Sequence, residues 1–185
     1  MCQKYTYATV IQKTLVALVP NFPLNQTCLR QVWLTWPLDM ETSLSYIMNP
    51  VISAALDAIC LERDDKKYSV SFKTTAAIVK QFGEQDLANF LFSEIPRKIP
   101  FELVAELFDF LAWQTSDNGA AIHRTIEKWL QDGADNRRLL IALNLETYPF
   151  TDPMEMEQVL SSLAEKNHRV AARCKYLIHS RRKMA

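Results

Sequence analysis

Three carboxylates and a tryptophan recur at helical spacing in the segment that begins at Pro100. Glu102, Glu106 and Asp109 follow steps of four and three residues, and Trp113 continues the line four residues further on. Side chains at these steps lie on one face of an α-helix. Carboxylate pairs are common on helices, so this spacing alone does not indicate acid–base catalysis.

The rest of this segment is apolar, which restricts what the carboxylates can do. Two further faces consist of Phe101, Val104, Ala105, Phe108 and Leu111, and of Leu103, Leu107 and Phe110. A helix that is buried on two sides shows water only a narrow stripe. One interpretation of the stripe is a solvated face without a role. The other is an acidic docking strip for a basic partner, with Trp113 as an apolar anchor.

The common catalytic and cofactor motifs are missing from the sequence. A phosphate-binding P-loop needs clustered glycines, and Gly83, Gly119 and Gly133 stand far apart. The chain also lacks the Gly-x-Ser-x-Gly turn of serine hydrolases. We therefore predict a protein that is not an enzyme and that carries no cofactor.

Histidine and cysteine spacing gives no metal site and no nucleophile pair. His123, His168 and His179 are scattered. The last two are eleven residues apart on one predicted helix, a rise of about 16 Å, so they cannot share an ion within one chain. Cys174 lies six residues from His168 and five from His179, and these steps point to different faces.

Charge is sorted along a chain whose formal net charge is zero. Residues 93–165 hold 13 acidic and 6 basic side chains, whereas residues 166–185 hold 7 basic and no acidic ones. The strongest candidates for a basic patch are Arg173, Lys175, Arg181 and Arg182. We favour a structural role, in which the last helix packs on the acidic stretch and cations complement its C-terminal dipole. A nucleic-acid patch is the alternative, although such patches usually add several aromatic groups.

The remaining composition indicates a cytoplasmic protein of one domain, residues 1–185. Four widely spaced cysteines, Cys2, Cys28, Cys60 and Cys174, are expected to be buried apolar residues in a reducing compartment. We find neither a convincing signal peptide nor an apolar run of the ~20 residues that a membrane span needs. The sequence does not determine the oligomeric state.

Hydrophobic periodicity predicts an all-α fold. The predicted helices span about 3–18, 25–36, 40–61, 68–80, 84–95, 100–114, 117–131, 135–148, 153–165 and 168–182. Pro50 is expected to start a new helix within the third of these, and residues 68–72, which alternate like a strand, are expected to lead into the fourth. Predicted N-caps are Asp117, Asp135, Asp152 and Asn167, and Glu155 would complete a capping box at Asp152.

Helix pairs that begin near 100, 135 and 168 recur every 33–35 residues, which favours antiparallel hairpins stacked as a short irregular α-solenoid over a compact bundle. Trp33, Trp36 and Trp129 are expected in the core, and Trp113 partly in solvent. In length, helical rhythm and lack of catalytic motifs, the sequence resembles the small HEAT-like helical immunity proteins of bacteria. The resemblance concerns architecture alone.

That resemblance implies a protein-binding module that neutralises a cognate toxin domain by blocking its active site. A toxin with nuclease activity would present the cationic surface that the acidic strip could complement. The alternative function is a nucleic-acid-binding regulator that uses the basic last helix.

Overall fold

The computed structural model describes residues 48–63 and 67–184, and every regular element in these ranges is an α-helix. The eight helices are α1 (Pro50–Glu62), α2 (Ser69–Phe82), α3 (Leu87–Glu94), α4 (Phe101–Ala112), α5 (Ala120–Asp132), α6 (Asn136–Leu143), α7 (Pro153–Lys166) and α8 (His168–Met184). The all-α prediction is confirmed. The helices predicted at 3–18 and 25–36, with Trp33 and Trp36, lie outside the described residues.

Two helices begin at a proline, as predicted, and a capping side chain precedes each proline. Pro50 is the first residue of α1, and the Asn49 side chain accepts a hydrogen bond from the Val51 N–H at 3.0 Å. Asp152 caps α7 by accepting from the Met154 N–H at 2.8 Å. In both cases the side-chain oxygen satisfies a donor that has no partner within the helix. Pro50 therefore starts a helix rather than kinking a longer one.

Asp135 and Asn167 also act as predicted at the starts of α6 and α8. Asp135 accepts from the N–H groups of Arg137 and Arg138 at 2.8 and 3.1 Å. Asn167 Oδ1 accepts from the Arg169 N–H at 3.1 Å. Short polar side chains thus fix the boundaries between successive helices in this half of the chain.

Two details of the predicted caps need correction. Helix α5 begins at Ala120 rather than at Asp117, although the Asp117 carboxylate still accepts from the Ala121 N–H at 2.7 Å. The Glu155 carboxylate does not complete a capping box, because its recorded hydrogen bond comes from Gln131 Nε2 at 3.2 Å. Both carboxylates accept a hydrogen bond, but from a different donor than the predicted one.

Residues 68–72 belong to the start of α2, so the alternating pattern marks a helix entry and not a strand. The Glu62 carboxylate accepts from the N–H groups of Val70 and Ser71 at 2.9 and 2.8 Å, which satisfies the first turn. Tyr68 precedes the helix with a φ of 42° in the left-handed region. This conformation is uncommon for a large side chain and turns the chain sharply into α2.

Helix α6 is shorter than predicted because the following loop contributes to the core. The expected helix ran to residue 148, but α6 ends at Leu143. Beyond that end, Leu145 and Phe150 are buried, and the Asn144 side chain donates to the Leu140 carbonyl at 2.8 Å. A continued helix would place these apolar side chains on different faces, whereas the loop buries both.

The described helices pack as stacked hairpins. Helix α2 contacts α4, α4 contacts α6, and α6 contacts α8; a second row runs from α3 to α5 and α7. Sequential neighbours also pack closely, most extensively α1 with α2 and α7 with α8. Each row is therefore made of every second helix along the chain, with neighbours in the row in contact. This is the pattern that stacking of helical hairpins produces.

One hydrophobic core runs through these rows. Its largest fully buried members include Phe108, Phe150, Ile52, Ile59, Ile78 and Leu91. Trp129 is buried as predicted, and its Nε1–H donates to Asn89 Oδ1 at 2.9 Å.

Cys174 is buried as well, but Cys60 is exposed, which contradicts the expectation for that cysteine. Among the described helices, none has the length and apolar character that crossing a membrane requires.

Candidate functional site

A groove of about 180 Å³ lies where the start of α2, the C-terminal half of α4 and the loop after α6 meet. It is lined by Tyr68, Phe72, Glu106, Asp109, Phe110, Trp113 and Glu146. Four of these side chains are aromatic and three are carboxylic acids. The groove therefore combines an apolar wall with a concentration of negative charge, and it contains three of the four residues of the predicted docking strip.

The aromatic wall is an ordered cluster. The Phe110 ring lies 5.3 Å from the Tyr68 ring and 5.1 Å from the Phe72 ring, centroid to centroid, the second pair edge to face. Such pairs stabilise one another beyond the area that they bury. Trp113 stands at the end of α4 with 76% of its surface exposed, and Phe72 is also exposed. Large aromatic surface is thus open to solvent on one side of the groove.

Asp109 is the most perturbed acid of the groove. Burial raises its pKa to about 7, and the nearby carboxylates of Glu146 and Glu106 act in the same direction. The Glu146 N–H, at 3.1 and 3.3 Å from the two Asp109 oxygens, opposes the rise without cancelling it. A strongly shifted carboxyl group in a surface concavity is a frequent mark of a functional site.

Glu106 is paired within the chain. Arg63, just beyond α1, donates from its Nε to Glu106 Oε2 at 3.1 Å, and its Nη2 bonds the same oxygen. The Glu106 side chain keeps 22% of its surface exposed. One of the three carboxylates that line the groove is therefore charge-compensated within the chain.

The four residues of the predicted strip do share one side of α4, but they are not equally solvated. Glu102 and Trp113 are exposed, whereas Glu106 and Asp109 are partly buried and bonded within the chain. The expectation that all three carboxylates face water together is thus met only by Glu102. A binding role for the strip stays a prediction.

Sequence reasoning missed Tyr68, Phe72 and Glu146, which complete the groove. Tyr68 and Phe72 are four residues apart, a spacing that could have marked them as helical neighbours. Phe110 was assigned to an apolar face of its helix. It does pack against apolar side chains, but these are the rings of Tyr68 and Phe72, which solvent still reaches. Glu146 reaches the groove only because α6 ends early, and the sequence pattern did not reveal that.

The predicted basic patch is largely committed to contacts within the fold. Arg173 donates from Nε to the Leu143 carbonyl at 2.8 Å and lies 5.2 Å from the Tyr176 ring centroid. Arg181 donates to the Thr151 carbonyl at 3.0 Å. These bonds join α8 to the last residue of α6 and to the loop before α7, which is a structural use of the two guanidinium groups.

Arg182 and Lys175 complete that patch. Arg182 forms an ion pair with Glu157 of α7, which lowers the pKa of that glutamate. This pair agrees with the expectation that the basic last helix packs on the acidic stretch before it. Lys175 is exposed. Three of the four candidate cations therefore have recorded partners in the chain.

Nothing in the described ranges suggests a metal centre: no group of three or more His, Cys, Asp and Glu side chains there could hold an ion. His168 and His179 are exposed, and His123 is partly exposed. Burial raises the pKa of the Cys174 thiol to about 11, so this cysteine is protonated at neutral pH and unsuited to nucleophilic attack.

A larger depression, of about 370 Å³, lies between the ends of α5 and α7. Its lining contains no aromatic side chain and only one carboxylate, Asp132, beside Lys166. A site that binds a macromolecule usually needs an anchoring apolar surface. The smaller groove beside α4 has that surface and is the better candidate.

Comparisons with protein-family models, with curated proteins and with solved structures give no match to this chain. The function is therefore argued from the chemistry of the groove.

Proposed function

We propose that this protein is a binding module for a basic protein, and that the groove beside α4 is the centre of its interface. The observation that carries the proposal is the juxtaposition of exposed Trp113 with the acids Asp109 and Glu146 around one concavity. Interfaces derive most of their affinity from a few aromatic or charged anchors that are desolvated on binding. Their charge pattern selects the partner and speeds its approach.

Charge around the groove favours a cationic partner. Glu102 continues the negative face along α4, and Glu146 adds an exposed carboxylate from the loop. Arg63 neutralises only Glu106 among these groups. A partner that brings one or more cations to this surface compensates like charges that otherwise repel each other, including those that raise the pKa of Asp109.

The partner that we propose is the toxin domain of a bacterial toxin–immunity pair, which the protein neutralises in the cytoplasm by covering the active site. An all-helical module with an acidic, aromatic docking surface suits such a role, because nucleases expose cationic surfaces for their phosphate substrates. The basic last helix supports the rival nucleic-acid function less well, since Arg173, Arg181 and Arg182 are engaged within the fold.

Growth rescue is the test. The C-terminal domain of a toxin encoded beside this gene is expressed in a sensitive host with the wild-type chain, which we expect to restore growth. The Glu102→Lys/Trp113→Ala variant changes two exposed residues of the acidic face and should lose protection. Lys175→Glu changes an exposed residue of α8 and should retain it.

Circular dichroism of the purified variants shows whether each one is folded. Protection that survives the change at Glu102 and Trp113 contradicts the proposed interface. Loss of protection with Lys175→Glu alone would instead favour the basic helix. A toxin-free gene neighbourhood would contradict the immunity role itself.

A further inference from the structure

We propose that the groove receives one arginine side chain of the partner, whose guanidinium group lies against the aromatic wall and pairs with Asp109 and Glu146. This inference rests on the proposed function and adds the chemistry of the anchor. It is drawn from the composition of the lining, which places four aromatic rings and three carboxyl groups around about 180 Å³.

The aromatic wall suits a flat cation. Tyr68 and Phe72 pack on Phe110, and Trp113 extends the same surface into solvent. The faces of such rings attract cations, and tryptophan does so most strongly. A guanidinium group is planar, so it can lie along an aromatic face and still direct its N–H donors sideways to carboxylates.

The acids retain the acceptors that a guanidinium group requires. One donor, the Glu146 N–H, contacts both oxygens of Asp109 at 3.1 and 3.3 Å. A carboxylate has about four acceptor positions, so most of those on Asp109 are left for a ligand. The exposed Glu146 side chain adds a second carboxylate at the same rim. Together they match the several N–H donors of an arginine better than the compact ammonium group of a lysine.

Partial burial of the groove also favours arginine over lysine. The surroundings of Asp109 are dry enough to raise its pKa markedly. An ammonium group holds its water more tightly than a guanidinium group, so it loses more free energy on entering such a place. The same chain already stacks arginines on rings elsewhere: Arg181 lies 4.6 Å from the Tyr148 centroid and Arg138 lies 4.7 Å from that of Phe92.

Arg63 defines where the partner's arginine must enter. Arg63 forms an ion pair with Glu106 on one side of the groove, but Arg63 itself does not line the groove. The incoming guanidinium group therefore meets Asp109 and Glu146, on the side of the loop after α6. This assignment makes Asp109 the most important single acid for the anchor.

The test uses three capped peptides that differ at one central residue: arginine, lysine or citrulline, the neutral analogue of arginine. The full chain is labelled with ¹⁵N, and the Trp113 indole N–H signal, assigned with Trp113→Phe, is followed by NMR at about pH 8, where Asp109 is ionised. We expect the arginine peptide to shift this signal, the lysine peptide to bind at least about fivefold more weakly, and the citrulline peptide to have no effect.

Two variants locate the interaction. Asp109→Asn should weaken arginine-peptide binding about tenfold, because it removes the charge that faces the guanidinium group. Glu165→Gln removes one exposed carboxylate from α7, outside the groove lining, and should leave binding unchanged. Circular dichroism checks that both variants are folded.

Equal binding of arginine and lysine peptides would overturn the arginine assignment, and equal binding of citrulline would overturn any role for charge. The inference is also overturned if Asp109→Asn binds like the wild type. A Trp113 signal that responds to the toxin domain but to none of the peptides refutes the anchor and leaves the proposed function standing. Arginine-selective binding by a protein that protects no cell supports the groove chemistry and refutes the immunity role.

Discussion

Replacing Asp109 with asparagine should stabilise the fold, and the gain should grow with pH. The folded protein raises the pKa of this carboxyl group from 3.8 to about 7, chiefly through burial. Between those two values the folded state holds a proton that the unfolded state has released. Stability therefore falls as pH rises through this window and levels off above it. Asparagine carries no charge, so the variant escapes this loss.

The size of the effect follows from the shift. Each pKa unit corresponds to about 1.4 kcal/mol, so a rise of this extent amounts to roughly 4 kcal/mol at full ionisation. Part of this loss of stability has already occurred at pH 5, because the unfolded state is ionised there, and the Asp109 side chain keeps some contact with water. We therefore expect the advantage of Asp109→Asn over the wild type to increase by about 2 kcal/mol between pH 5 and pH 8.

Urea unfolding followed by circular dichroism measures this difference at both pH values. The wild type and the variant share all other titrating groups, so subtracting their unfolding free energies isolates position 109. Glu102→Gln is the matched control, because it removes the same charge from an exposed site on the same helix. If Asp109→Asn gains no stability over the wild type as pH rises, the carboxyl group is not desolvated and the described groove geometry is wrong.

Further predictions follow from other contacts. Arg63→Gln should change the unfolding free energy by less than about 1 kcal/mol, since solvent reaches both members of this ion pair and weakens it. It should also tighten binding of the basic partner in calorimetry by releasing Glu106. Gly119→Ala should lower the unfolding free energy by about 2 kcal/mol or more, because a Cβ there would meet an α4 side-chain atom at 2.6 Å. Gly83→Ala has open space around the added Cβ, but its backbone, with φ of 76° and ψ of −176°, is one that essentially only glycine adopts, so it should lower the unfolding free energy by about 2 kcal/mol through backbone strain alone. Glu62→Gln should lower the melting temperature most at pH 7 and progressively less as the medium is acidified: burial opposes the shift, but hydrogen bonds from α2 outweigh it and lower the pKa of Glu62, so its contribution is present above pH 4.5 and is lost as pH falls through the folded pKa.

Local signals in the sequence predict the helices and several of their starts. Asp152 before a proline identifies a helix N-terminus because the side chain that satisfies the first N–H groups is adjacent in sequence, and Pro50 identifies another because its missing N–H costs nothing at that position. Trp129 and Trp113 divide into core and surface because their helical faces differ in polarity. These features depend on neighbours within one or two turns.

The groove depends on contacts between distant parts of the chain, so the sequence predicts only one of its walls. Glu106 pairs with Arg63, 43 residues away, and Asp109 bonds the loop at Glu146, 37 residues away. That loop reaches α4 because burial of Phe150 prevails over the helical pattern that predicted a longer α6. Tertiary packing thus converted a strip of acids into a mixed acidic and aromatic concavity.

Site-specific photo-crosslinking tests the central claim most directly, because it reports where the partner touches the protein. A benzoylphenylalanine is placed at Trp113, which is 76% exposed beside the groove, or at Tyr176, an aromatic residue of the basic helix α8 that is 59% exposed. With the toxin domain present, we expect a covalent adduct from position 113 and none from position 176. An adduct from position 176 alone would contradict the assignment of the interface to the acidic and aromatic groove.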